Sequence, residues 1–356
     1  MKKVCVFCGK TPEKKNKEHV LPQWLLSLTG DPNRIVTFGQ KVSENENDEE
    51  LIEIKFNWKA LTVPSCTSCN DKFGKLESSV KPIIQKAIDK VELTPDEILL
   101  LLDWLDKVRI GLWLNYYYLE KNKSQINPRM FIENRMGKKD RFLQIHFLES
   151  VNKKSDGLNA FGVETFAFQN NPSCFGLRIN NILIINGSND FAISKECGFP
   201  YPEIMEMTTN GMLSLDQWVY TRETATRHEL NLHKGVLTIL QPIHSGLDLL
   251  NNYYKDSYLQ INCLEPDKKI GRLFKVSNEL IEPIYNMTEP LDYKSVTGGE
   301  IKYIGKLIAK VYEKQKFFIE RIDFQDKEYF SKILDLNDKY IQFYENYHKE
   351  TLPNIG

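Results

Sequence analysis

The sequence predicts an α+β protein in which a small cysteine-stapled module is followed by a larger mixed α/β region. Three observations predict it. Two Cys-x-x-Cys pairs, Cys5/Cys8 and Cys66/Cys69, sit close to the N-terminus. Thr94-Pro95-Asp96-Glu97 marks a helix start ahead of a densely apolar run. Between Asn127 and about Leu264 the texture changes to short apolar or alternating runs broken by Gly, Pro and Asn, the pattern of strands and turns. A chain of 356 residues suits two or three units. The expected division is 1–90 for the module, 91–125 for a connecting helix and 126–356 for a further domain.

Taken in order, residues 44–50 (Glu44 to Glu50) form an acidic run that reads as a solvated loop, and Leu51 to Phe56 alternates as an edge strand of the module would. Asn70 to about Lys90 reads as helix. Thr94 can cap the next helix, Pro95 suits its first position and Glu97 closes a capping box. Apolar residues from Ile98 through Trp104, Val108, Leu112 and Leu114 to Tyr118 recur so densely that this helix should be buried on most sides, as a spine between domains. Strands are expected at Phe161 to Phe168, Phe175 to Ile185, Gly235 to Leu240 and Tyr258 to Cys263. Helical spacing returns from Lys302 to about Tyr312 and from Asp326 to Lys349, with Tyr329, Ile333, Leu336, Tyr340 and Phe343 on one face.

Composition is that of an ordinary soluble globular chain, 41% apolar and 27% charged, which excludes disorder throughout. A net charge of −1 means that any nucleic-acid contact comes from a local patch. The N-terminus starts positively but its apolar stretch is too short for a signal peptide. No run reaches the roughly 18 apolar residues of a membrane span; the nearest, Ile98 to Leu105, is broken by Asp103. Seven cysteines, four of them in two pairs, read as metal thiolate chemistry in a reducing cytoplasm. A cytoplasmic location is therefore expected.

Each Cys-x-x-Cys places two thiolates on one knuckle, and two knuckles make a closed four-sulfur site for a structural Zn²⁺. In so small a segment zinc binding and folding are coupled. Cys174, Cys197 and Cys263 are scattered and read as small buried hydrophobes.

Lys17-Glu18-His19-Val20-Leu21-Pro22 follows the first pair, and Asn70-Asp71-Lys72-Phe73-Gly74-Lys75-Leu76-Glu77 follows the second. This succession resembles the zinc-containing branch of the HNH endonucleases, over about residues 1–85. The resemblance implies a ββα-metal module in which Glu18 and Asn70 ligate a catalytic Mg²⁺ or Mn²⁺ and His19 deprotonates water. Carboxylate and amide oxygens are hard ligands suited to those ions, and histidine is the natural base near neutral pH. Two departures stand out: Glu18 replaces the commoner Asp, and the family's central position falls only on Asn57, farther ahead of Cys66 than usual. Glu77, two helical turns beyond Asn70, can reach the metal through water or form a salt bridge. Lys17, Lys72 and Lys75, with Lys10, Lys14 and Lys15, are the candidates for backbone phosphates.

The resemblance implies nucleic acid as substrate, DNA ahead of RNA, and a role as an effector in bacterial antiviral (anti-phage) defence. Residues 126–356 would then be the regulatory part, answering a protein partner or a nucleotide signal. Cutting both strands of a duplex with one site favours homo-oligomers. The alternative is a noncatalytic zinc module that binds nucleic acid or acts as an assembly scaffold. The basic stretch from Arg129 to Arg141 reads as an anion-binding segment or as a solvated loop.

Overall fold

The computed structural model describes residues 3–12, 14, 16–42, 51–118, 126–148, 157–207, 213–219, 237–244, 259–265, 270–277, 280–292, 304–322 and 326–346. All strand pairs among them are antiparallel, so the protein is α+β.

The N-terminal part runs β1 (Asn16–His19), α1 (Gln23–Leu28), β2 (Ile35–Val42), β3 (Leu51–Asn57), β4 (Thr62–Ser65) and α2 (Thr67–Ile88). β1 pairs with β4, and β2 with β3, which occupies the stretch expected as an edge strand. The acidic run at 44–50 lies outside the described residues. α2 begins three residues before Asn70 because Cys66 takes the N-cap position. Its buried residues Phe73, Val80, Ile83, Ile84 and Ala87 recur at helical spacing.

α3 (Pro95–Tyr118) opens with the expected capping box: the Thr94 N–H donates to Glu97 Oε2 at 2.9 Å, and the Glu97 N–H to Thr94 Oγ1 at 3.2 Å. Nearly every side of the helix is buried, polar residues Asp106, Lys107, Arg109 and Asn115 included. Buried charge is tolerated only with partners, and Lys107 finds its partners on β1 and α2.

After α3 come α4 (Ile132–Arg135), β5 (Asp140–Phe147), β6 (Leu158–Phe161), α5 (Phe166–Asn170), β7 (Cys174–Ile179), β8 (Ile182–Asn189) and α6 (Ala192–Cys197). β9 (Tyr201–Met207) pairs with β10 (Leu213–Val219). Then come β11 (Leu237–Gln241), β12 (Cys263–Glu265), β13 (Ile270–Gly271), β14 (Phe274–Ser277) and β15 (Leu280–Pro283), and the helices α7 (Ile304–Ile319) and α8 (Lys327–Asn346). Among the described residues a seven-stranded sheet runs β15-β14-β11-β5-β8-β7-β6.

Both faces of this sheet are covered. Ile182 and Ile184 of β8 join the core around α3, while Leu183 and Ile185 join the core around Leu307, Ile308, Val311 and Tyr312 of α7. Alternate residues of one strand thus enter different cores, as a period of two demands. Burial on both faces is why Ile182 to Ile185 reads as a continuous apolar run, while Asn180 and Asn181 divide the expected Phe175 to Ile185 strand into β7 and β8. The tip of the β7–β8 hairpin reaches the N-terminal part, where Asn180 donates to the Leu28 carbonyl at 3.3 Å and Asn181 to that of Ile88 at 3.1 Å.

Three expectations need correction. Only the start of Phe161 to Phe168 is strand; Thr165 caps α5 by accepting from the Phe168 N–H at 3.1 Å, so the local hydroxyl converts an apolar run to helix. Residues 259–262 are helical, with strand only from Cys263. In α8 the buried face is rotated from the expected one: Ile333 and Asn337 are buried and Tyr340 and Tyr344 stack on Tyr312, while Tyr329 and Phe343 are exposed. Cys174, Cys197 and Cys263 are buried, as expected.

Candidate functional site

The first knuckle, Cys5 to Gly9, is a tight turn in which the Gly9 N–H donates to the Cys5 carbonyl at 2.8 Å. Gly9 has φ +73°, and a Cβ there would meet the Phe131 ring at 2.7 Å, so the position suits glycine on two counts. The second knuckle is the start of α2, with Cys66 capping and Cys69 one turn on. Pairing of β1 with β4 and a hydrogen bond from the Val6 N–H to the Pro64 carbonyl, 3.0 Å, bring the knuckles together. Phe7 stacks on Phe73 at 4.1 Å between centroids.

All four sulfurs lie within 4.8 Å of one another. Cys8 and Cys66 Sγ are 3.7 Å apart, close to the edge of about 3.8 Å that a tetrahedron with bonds of about 2.3 Å requires. The Cys66 N–H points at Cys5 Sγ at 3.2 Å, the kind of donor that stabilises a ligating thiolate. Burial and the neighbouring thiols push the Cys66 thiol up to about 12 and raise Cys69 as well, while Cys8, against burial, is lowered by hydrogen bonds from the Lys10 backbone and the other three cysteines; a bound cation favours the thiolate form of the two that are raised. Thiolate donors in this arrangement fit one structural zinc.

Next to this centre, β1 carries Glu18 and His19, and α2 carries Asn70 in its first turn. The β1–β4 register sets Glu18 opposite Val63 and His19 opposite Thr62, and α2 packs against β1. Glu18 is buried and His19 half-buried. Alternation along β1 turns Lys17 outward to solvent.

Polar satisfaction here is uneven. His19 Nδ1 and Asn70 Oδ1 are buried and have no hydrogen-bond partner among the described residues. His19 Nε2 lies 3.1 Å from the side-chain amide of Gln23, the first residue of α1. The Gln23 amide nitrogen faces Nε2, which makes Nε2 the acceptor and leaves the proton on Nδ1; with the amide's oxygen and nitrogen exchanged, Nε2–H donates to that oxygen and Nδ1 becomes the free acceptor. Burial, followed by Lys59 and Lys107, holds the imidazole below its ordinary pKa against the pull of Glu18, which favours the neutral ring.

Glu18 does have a partner. Lys107 Nζ, from α3, donates to Glu18 Oε1 at 2.6 Å and also to Glu77 Oε1 on α2. Glu77 therefore makes the salt bridge that was one of its two expected roles. Burial, with Glu18 adding to it, lifts the Glu77 carboxyl above its usual range while Lys107 pulls it down. The Asn57 side chain is engaged in its own turn: its Oδ1 accepts from the Lys59 N–H at 2.8 Å and its Nδ2 donates to the Asn33 carbonyl at 2.6 Å, leading into residues Trp58–Ala60. Lys75 is exposed; Lys72 is exposed as well but pairs with Glu133 at 2.7 Å.

Sequence reasoning missed Lys107 and Gln23. The available signal for Lys107 was a charged cluster, Asp103, Asp106, Lys107 and Arg109, in the middle of an otherwise apolar helix. The basic stretch also proves internal in part. Arg135 and Arg141 are buried, Arg135 donating to Ser188 Oγ at 2.8 Å and Arg141 to Asp103 at 2.5 Å and Gln241 Oε1 at 2.9 Å. These guanidiniums bind the sheet to α3 and α4, so they do not form a solvated loop.

No family model, curated protein or solved structure matches this chain. Among the described residues no helix is long and apolar enough to cross a membrane.

Proposed function

We propose that the chain is a metal-dependent HNH endonuclease that hydrolyses phosphodiester bonds of nucleic acid, with DNA the first polymer to try. The observation that carries this reading is that Glu18, His19 and Asn70 sit on one strand-strand-helix unit beside the cysteine centre, with His19 Nδ1 and Asn70 Oδ1 buried and unpartnered. An unsatisfied buried amide oxygen costs about 1–3 kcal/mol, which a hard cation relieves. Glu18 and Asn70 would hold Mg²⁺ or Mn²⁺. When bound, that ion neutralises charge on the phosphate and its leaving oxygen. His19 takes the proton of the attacking water, Gln23 orients the ring, and the N-terminus of α2 favours the phosphate near Asn70. Lys17 and Lys75 supply exposed positive charge for the backbone, and Lys72 would do so on leaving Glu133.

By analogy with HNH modules at the head of longer bacterial chains, residues 126–356 would restrain or direct cleavage in anti-phage defence through a protein partner or nucleotide signal. One observation favours a second reading, a noncatalytic zinc module that binds nucleic acid: Glu18 is already paired with Lys107.

The test is cleavage of supercoiled plasmid, and of RNA, by the zinc-loaded full chain with Mg²⁺, Mn²⁺ or EDTA. Wild type should nick in a metal-dependent way, and His19→Ala should lose about 10²–10⁴-fold of that rate while keeping its zinc. Cleavage that persists in His19→Ala, or silence of the wild type on every substrate, would sink the nuclease reading.

A further inference from the structure

The proposed metal site contains a cation that belongs to the chain. Lys107 is 1% exposed, and its ammonium is shared by Glu18 and Glu77, one from β1 and one from α2. Its position is firmly held. On the same turn of α3, Asp106 pairs with Arg109 and accepts from the Gly137 N–H at 3.0 Å, while Arg109 donates to the Pro172 carbonyl at 2.9 Å and to Asn186 of β8. Arg141 of β5 adds a contact to Asp106 at 3.3 Å. The helical turn that delivers Lys107 is thereby tied to the central sheet, and the ammonium cannot swing away as a surface lysine can.

The charge count gives this arrangement its meaning. Glu18 and Glu77 with Lys107 sum to one negative charge; without the lysine they would be two adjacent carboxylates, one buried and one partly buried, and oxygen donors of that kind attract divalent cations. Glu18 gives Oε1 to the ammonium, and no hydrogen bond engages its Oε2 among the described residues. One Glu18 oxygen thus remains, and Asn70 Oδ1 is itself without a partner among the described residues, while Glu77 is held on the lysine.

We propose that Lys107 is a resident counter-cation of this site: it takes the place between Glu18 and Glu77 that a divalent ion would otherwise fill, keeps Glu77 out of the metal's coordination and weakens metal binding. The inference rests on the assignment of Glu18 and Asn70 as metal ligands. It makes Lys107 a positioning residue, and it reconciles the Glu18 ion pair with a nuclease whose metal binds weakly and exchanges.

The test is Mn²⁺ binding to the zinc-loaded full chain, with free Mn²⁺ read by electron paramagnetic resonance. Wild type should bind weakly. Lys107→Met should bind at least about tenfold tighter, because two carboxylates are released to the ion, and Lys107→Arg should stay within about threefold of wild type. Glu77→Gln leaves the ammonium to Glu18 alone and should weaken Mn²⁺ by about threefold or more; this variant decides the matter if Lys107→Met does not fold. Wild-type binding with no gain in Lys107→Met, or with no loss in Glu77→Gln, overturns the counter-cation and leaves the nuclease reading standing. Absence of Mn²⁺ binding in wild type and every variant overturns the ligand assignment and the counter-cation with it.

Discussion

The four-cysteine centre and the Glu18–His19–Asn70 site share the first turn of α2, yet they meet the demands of their polar atoms in opposite ways. The cysteine centre collects four donors of one kind within 4.8 Å, from two knuckles, and closes on itself. Its neighbour mixes a carboxylate, an imidazole and an amide, leaves two of their atoms without partners among the described residues, and borrows a balancing charge from α3, 89 residues beyond Glu18. A closed set of ligands stabilises a fold. An incomplete set is what remains available for a ligand, and the contrast teaches where in this small region structure stops and chemistry can start.

The largest effect that could break the contrast is removal of zinc. Structural zinc contributes about 10–16 kcal/mol in small domains, so a strong chelator, or Cys69→Ser, should melt the N-terminal part, visible as loss of protection from proteolysis between residues 16 and 88. An unchanged thermal profile would mean that the cysteines are not a zinc staple.

Next in size, Lys107→Ala strands the buried Glu18 carboxylate and the partly buried Glu77, and should lower unfolding stability by about 3–5 kcal/mol in metal-free buffer, measured by denaturant titration. A loss below about 1 kcal/mol would show that the ammonium is not needed where it sits. Gly9→Ala tests the knuckle by itself: a side chain at φ +73°, pressed on Phe131, should cost about 1–3 kcal/mol and reduce zinc retention. Smallest is Thr94→Ala, which removes the cap of the helix that delivers Lys107; about 1 kcal/mol is expected in thermal unfolding, with zinc content unchanged.

Much of the cysteine centre was legible because its logic is local: two pairs at knuckle spacing and a helix start immediately after the second. The capping box at Thr94 was legible for the same reason, since both of its hydrogen bonds close within three residues. The carboxylate site was legible only as a set of residue types. Asn57 illustrates the limit: its residue type fits an orienting role, but a carbonyl at Asn33 and the Lys59 N–H claim its side chain. Arg135 and Arg141 mislead in the same way, because a basic stretch looks identical in sequence whether solvent or a buried acceptor, Ser188 for Arg135 and Asp106 for Arg141, receives it. The α8 stripe was misplaced because period alone does not say which neighbour a helix will meet; Tyr312 of α7 drew in Tyr340 and Tyr344 instead of Phe343.

By itself, then, the sequence determined the α+β class, the pairing of cysteines on two knuckles, the helices that begin with local caps, and the residue types gathered after each knuckle. Only the tertiary structure decided that Lys107 stands between Glu18 and Glu77, that Gln23 touches His19, and that both faces of the central sheet are covered. The physical reason is range. Caps, turns and periodicity are settled among residues a few positions apart, whereas a buried charge takes its partner from whichever element the packed core brings against it.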